Sequence, residues 1–180
     1  MSSENKSVAI KGTNNRYQIK KLIDQPFVPK QRIVSKKWNI DDKWFQSDAQ
    51  LELLQDINTE EEYKKEKDIL KREIINKIVS YKNQDISRNL LNKDKFIDSS
   101  SVMLRLAESN LNCYYCKGDI LVLYDISREM NQWSIDRIDN DQGHNIDNYH
   151  ISCLKCNLER KRKSADKFLF TKQLTIIKND

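Results

Sequence analysis

The side chains able to do chemistry crowd into one stretch, WSIDRIDNDQGHNIDNYHISCLKCN, residues 133–157. It holds Asp136, Arg137, Asn148 and Asn157, both histidines of the chain (His144 and His150), and a Cys-x-x-Cys pair, Cys153 and Cys156. Carboxylates, amides and thiolates hold metal ions, and imidazoles move protons near neutrality. A second Cys-x-x-Cys pair, Cys113 and Cys116, lies upstream, so the two pairs use all four cysteines of the chain. Two thiolates on one tight turn grip one ion, and two such knuckles complete a tetrahedron with Zn–S of about 2.3 Å. The expectation is a closed structural zinc site, which contributes on the order of 10 kcal/mol of folding free energy. That site clamps the ends of the segment in which the other reactive side chains lie.

The rest of the chain must position these groups. Of its 180 residues 38% are hydrophobic and 33% charged, so the core is lean and a metal staple offsets what apolar packing lacks. A net charge of +5 is compatible with nucleic acid, but 27 acidic residues keep charge alone from deciding it. The opening residues contain no apolar core of a secretion signal, and no run reaches membrane-spanning length. The expectation is an intracellular protein, neither secreted nor in a membrane, with reduced cysteines that serve as metal ligands rather than disulfides.

Residues 1–46 read as an irregular arm that docks by Trp38, Trp44 and Phe45. A helical region follows over 47–111. It comprises a short helix at 47–58 capped by Ser47 or Asp48, a long one at 59–85, and one at 99–109 capped by Asp98 or Ser99. Thr59 and Glu62 form a capping box for the long helix, and the charge run 60–68 reads as a solvated face. Its stripe Leu70, Ile74, Ile75, Ile78, Val79 lies on its own domain or forms a seam for a homodimer or another partner. From 112 the texture turns to strands, at 120–126, 132–138 and 148–152, with turn formers between the last two. A basic helix opens at 153–163, Ser164 caps a short helix through Phe168, and the tail 169–178 adds an edge strand.

The pattern CYYC … IDRIDN … GH … DN … CLKCN over residues 112–163 resembles the HNH (ββα-metal) nuclease superfamily. It is most similar to the "DRIDN" branch found in phages, large DNA viruses and some restriction enzymes. The resemblance implies an α+β fold, a ββα-metal core with a four-cysteine zinc site occupying 112–180, preceded by a mainly helical region. It implies a metal-dependent DNA endonuclease acting in a host cytoplasm or nucleus, or packaged in a virion. In the family's terms Asp136 and Asn157 bind one catalytic Mg²⁺ or Mn²⁺ ion at the scissile phosphate, and Asn148 braces the loop. Arg137 stands where the family's usual histidine lies, and arginine is a poor base because it stays protonated. Relatives with Asp-Arg there carry Gly-Tyr in the following loop, with the tyrosine implicated in catalysis; here the pair is Gly143-His144. The resemblance therefore makes His144 the base and Arg137 a fork for phosphate. Arg160, Lys161, Arg162 and Lys163 continue the helix of Asn157 and read as backbone-phosphate contacts.

Each assignment has a plainer alternative. Asp136 and Arg137 form an ion pair at a strand end, Asn157 terminates its helix, or His144 is a surface turn residue. His150 reads as a surface residue or one that supports the site from behind, and Asp139 and Asp141 as turn formers. Two other functions also stay open: an HNH-derived nucleic-acid-binding or scaffold protein without catalysis, and an interaction module that works through helix 59–85.

Overall fold

Apolar residues three and four apart bury one face of each helix, and three helices pack on one another by those faces. They are α1 (Ser47–Gln55), α2 (Lys64–Ser87) and α3 (Ser99–Glu108). Two strands, β1 (Trp133–Arg137) and β2 (Tyr149–Cys153), pair antiparallel with Asp136 opposite His150, and α4 (Leu154–Arg160) packs on both. A last helix, α5 (Ala165–Gln173), follows. The computed structural model describes residues 29–58 and 62–174 of this α+β chain; from Gln31 on they belong to one unit. Among them are five α-helices and a two-stranded sheet. No described helix is long and apolar enough to cross a membrane.

Asp98 accepts from the Ser101 amide at 2.9 Å, and Ser164 accepts from Lys167, as the sequence suggests. At α1 the cap position is Gln46, which offers no side-chain bond, and Asp48 instead accepts from the Ala49 amide at 3.0 Å. Helix α2 starts only at Lys64, behind Tyr63 in the left-handed region, and Thr59 of the expected capping box lies outside the described residues. Both α2 and α3 end on a left-handed asparagine. After α2, Asn89 (φ 56°) lets the Leu90 amide reach the Asp85 carbonyl at 2.9 Å and its own amide reach Ile86 at 3.1 Å. Asn110 does the same after α3, with Leu111 bonded to Leu106 at 3.1 Å. This closing motif satisfies carbonyls that a helix end otherwise leaves bare.

The apolar stripe of α2 divides. Leu70, Ile74 and Ile78 are buried, joined by Ile69 and Tyr81, whereas Ile75 and Val79 are exposed. The strand expected at 120–126 does not form. Ile120, Val122 and Leu123 are buried, and the segment makes only isolated bridges, Leu121 with Gln132 and Ile126 with Gln31. Gln50, fully buried on α1, stands in for the ladder: its Oε1 accepts from Val122 and Leu123 at 2.7 and 2.9 Å, and its Nε2 donates to Leu123 O at 2.8 Å. The expected tail strand is also corrected, because Leu169–Gln173 continues α5; residues 175–180 lie outside the described residues. Trp38, just after the 3-10 turn Ser35–Lys37, and Trp44, within a second one at Asp42–Phe45, are buried, with Phe45 packed beside them. Most of the arm expected over 1–46 lies outside the described residues.

Candidate functional site

The four cysteine sulfurs lie within 4.8 Å of one another, and Cys116 Sγ stands 4.0 Å from Cys153 Sγ. A tetrahedron with Zn–S of about 2.3 Å needs sulfurs about 3.8 Å apart, so the donor set fits one such ion. Local structure aims the thiols. The first knuckle closes through Cys113 N on Gly118 O at 2.9 Å and Lys117 N on Cys113 O at 3.0 Å, with Lys117 left-handed. Tyr114 N on Ile151 O at 2.9 Å ties it to β2. The second knuckle is the entry to α4, where Cys153 Sγ accepts the Cys156 amide at 3.3 Å. A hydrogen bond from Cys153 holds the Cys113 thiol down to about 4, while the same bond raises Cys153 and burial pushes Cys156 up to about 12. Metal entry must therefore displace protons, and binding weakens with acid.

Asp136, at the end of β1, is buried against Arg160, which is 0% exposed. Arg160 Nη2 donates to Asp136 Oδ1 at 2.9 Å, its Nε lies 2.5 Å from Oδ2, and Tyr115 OH donates to Oδ2 at 2.5 Å. The guanidinium also bonds Arg137 O and Lys163 O, so it binds the end of α4 to β1 and closes the turn after it. This corrects two sequence expectations. Asp136 pairs with Arg160 rather than Arg137, and Arg160 is unavailable as a phosphate contact. Lys161, Arg162 and Lys163 are exposed, with Arg162 meeting Asp141 at 2.8 Å, a solvent-screened pair worth little.

A hard dication at Asp136 and Asn157 does not fit this arrangement. Both carboxylate oxygens are engaged, and the charge a dication would bring is already supplied by Arg160. Asn157 Nδ2 donates to Ser134 Oγ at 2.7 Å and to Ile135 O at 3.0 Å, tying α4 to β1. Among the described residues, the cysteines are the one group of three or more Cys, His, Asp or Glu donors close enough to share an ion.

The loop between the strands carries the second centre. Asn148 is its brace: Nδ2 donates to Asp139 O at 2.9 Å and Gly143 O at 3.0 Å, and Oδ1 accepts from Asp139 N at 2.8 Å. His144 is buried, not a surface turn residue. Its backbone amide donates to Asp85 Oδ2 and its ring Nδ1 meets Asp85 Oδ1, both at 2.7 Å. The ring stacks on Tyr81, centroids 4.6 Å apart. Among the described residues no protein group hydrogen-bonds Nε2. Burial lowers the His144 pKa; Asp85 opposes this, and Arg137 and Arg88 add to it. The imidazole is thus neutral at pH 7 and able to accept a proton. Arg137 Nη1 donates to Gln142 O at 2.7 Å, and Arg88 is exposed; neither is in an ion pair among the described residues. His150, half-buried, stacks flat on Tyr114 at 3.6 Å.

Asp85, Arg88, Tyr81 and Tyr115 are the participants that reading by motif misses. Asp85 did carry a signal: it continues the spacing of the buried positions 70, 74, 78 and 81, an acid on an apolar face.

Comparison of the chain with protein-family models, with curated proteins and with solved structures finds no match in any of the three.

Proposed function

We propose that the chain is a zinc-stabilised endonuclease that hydrolyses phosphodiester bonds in double-stranded DNA, with His144 as its base. One observation carries this reading: a buried imidazole, held through Nδ1 and, among the described residues, with no protein partner on Nε2 and with two guanidiniums nearby that join no ion pair. The order strand, strand, helix over Trp133–Arg160 and the four-cysteine cluster support the resemblance to HNH nucleases. In the proposed reaction Arg137 and Arg88 hold the non-bridging phosphate oxygens and stabilise the charge that builds on them. Nε2 takes a proton from water as the water oxygen bonds to phosphorus. The bond from phosphorus to the leaving sugar oxygen breaks, and that oxygen takes a proton from solvent. The cysteine cluster holds zinc and keeps the strands and α4 in register; exposed Lys161, Arg162 and Lys163 add phosphate contacts beyond the site.

The test is nicking of supercoiled plasmid by zinc-loaded protein, with Mg²⁺, with Mn²⁺, and with a chelator too weak to strip the zinc. Nicked circles in any arm support the reading, and their absence from all three contradicts it. A second reading, binding of nucleic acid without cleavage, is favoured by the Arg160 lock on Asp136, where the resemblance places an ion. A gel shift without nicking would favour it.

A further inference from the structure

We infer that Asp85, at the end of α2, is a positioning residue that fixes His144 in the tautomer bearing its proton on Nδ1, so that the last turn of α2 is part of the site. As a statement about catalysis this rests on the nuclease reading; as a statement about the ring it does not. An ionised carboxylate only accepts hydrogen bonds. Asp85 is buried, side chain 1% exposed, and a buried carboxylate is tolerated when N–H groups surround its oxygens. Its two oxygens take two groups of one residue, the His144 amide at 2.7 Å and the ring Nδ1 at 2.7 Å. The pair is stable with hydrogen on Nδ1, which leaves the lone pair on Nε2.

The surroundings are built for this approach. A Cβ on Gly143 would stand 2.8 Å from Asp85 Oδ2 and 2.4 Å from Leu90 O, so only glycine lets the loop come this close. Leu90 is itself held by its amide on Asp85 O at 2.9 Å. Tyr81, one turn before Asp85, covers a face of the ring, and Arg88, three residues after, brings a cation to the same end of the helix. α2 thus supplies ring stacking, proton placement and phosphate charge to a loop that belongs to the other half of the fold.

The test is the ¹⁵N–¹H long-range spectrum of zinc-loaded protein labelled in histidine, at a pH where both rings are neutral, with His150→Gln to assign the signals. His144 should show a protonated Nδ1 and a bare Nε2. In Asp85→Asn the side-chain oxygen can still accept the backbone amide while the amide nitrogen donates to Nδ1. The ring should then move to the Nε2–H form, and nicking should fall about 10²–10⁴-fold with DNA binding retained. A parent ring protonated on Nε2 overturns the inference, as does an unchanged tautomer in a folded Asp85→Asn; if that variant does not fold, the parent spectrum decides. The expected spectrum without any nicking by the parent would leave the inference standing and sink the nuclease reading instead.

Discussion

Two buried aspartates make the instructive comparison. Asp136 and Asp85 are of one residue type, both almost free of solvent, and each has nitrogen partners on both oxygens. Asp136 faces arginine, which never gives up its charge, and the result is a permanent pair that binds α4 to β1. Asp85 faces histidine, which burial keeps neutral, and the result is an oriented ring with a nitrogen to use. One carboxylate is locked into the framework and the other is coupled to a proton. The chemistry is therefore proposed at the loop and α2, and not at the strand end where the motif first points.

The largest effect that bears on this contrast is loss of the frame itself. Cys153→Ser keeps an oxygen to cap α4 but removes a thiolate ligand, and should leave a poorly folded chain. Elemental analysis of the parent should find one zinc per chain, and an intact melting transition under a strong chelator would deny the metal its place. Next comes the locked pair. Arg160→Ala strands Asp136 as a buried charge and should cost about 3–5 kcal/mol in denaturant unfolding. A variant as stable as the parent would mean that the two aspartates do not differ in the way described.

How much of this was legible in the sequence follows from what each residue touches. The four clustered cysteines were readable because their partners sit at fixed short spacing, and β1, β2 and α4 followed from the pattern around them. The loop brace Asn148 could be named through the resemblance, and its side chain does bond residues 139 and 143. Asp85 could not be paired with His144, because 59 residues separate them and no local rule links a helix end to that loop. The strand at 120–126 misled because its apolar residues are buried without a ladder, a distant glutamine, Gln50, meeting the backbone of Val122 and Leu123 instead. Arg160 reads from the sequence as a phosphate contact like its neighbours, and only burial against Asp136 separates it from Lys161.

Smaller effects sharpen the same contrast. Because burial depresses the His144 pKa, the ring loses its base function only when pH falls through a value below the usual ~6.5. The nicking rate should therefore stay level across pH 7 and fall on a limb below about 6.5; a limb above it would place the titrating group elsewhere. Smallest is the salt effect. Neutralising Lys161, Arg162 and Lys163 should flatten the dependence of DNA affinity on salt by a slope of roughly 2–3, and an unchanged slope would make them a solvated face with no part in binding.

The most direct test of the central claim compares the two histidines in the plasmid assay. His144→Asn keeps an N–H where Nδ1 stood, so Asp85 retains its partner while the base is gone. It should nick about 10²–10⁴-fold more slowly than the parent at equal DNA binding, with His150→Gln close to the parent. If His144→Asn nicks at the parent rate, His144 is not the base and the proposed mechanism is wrong.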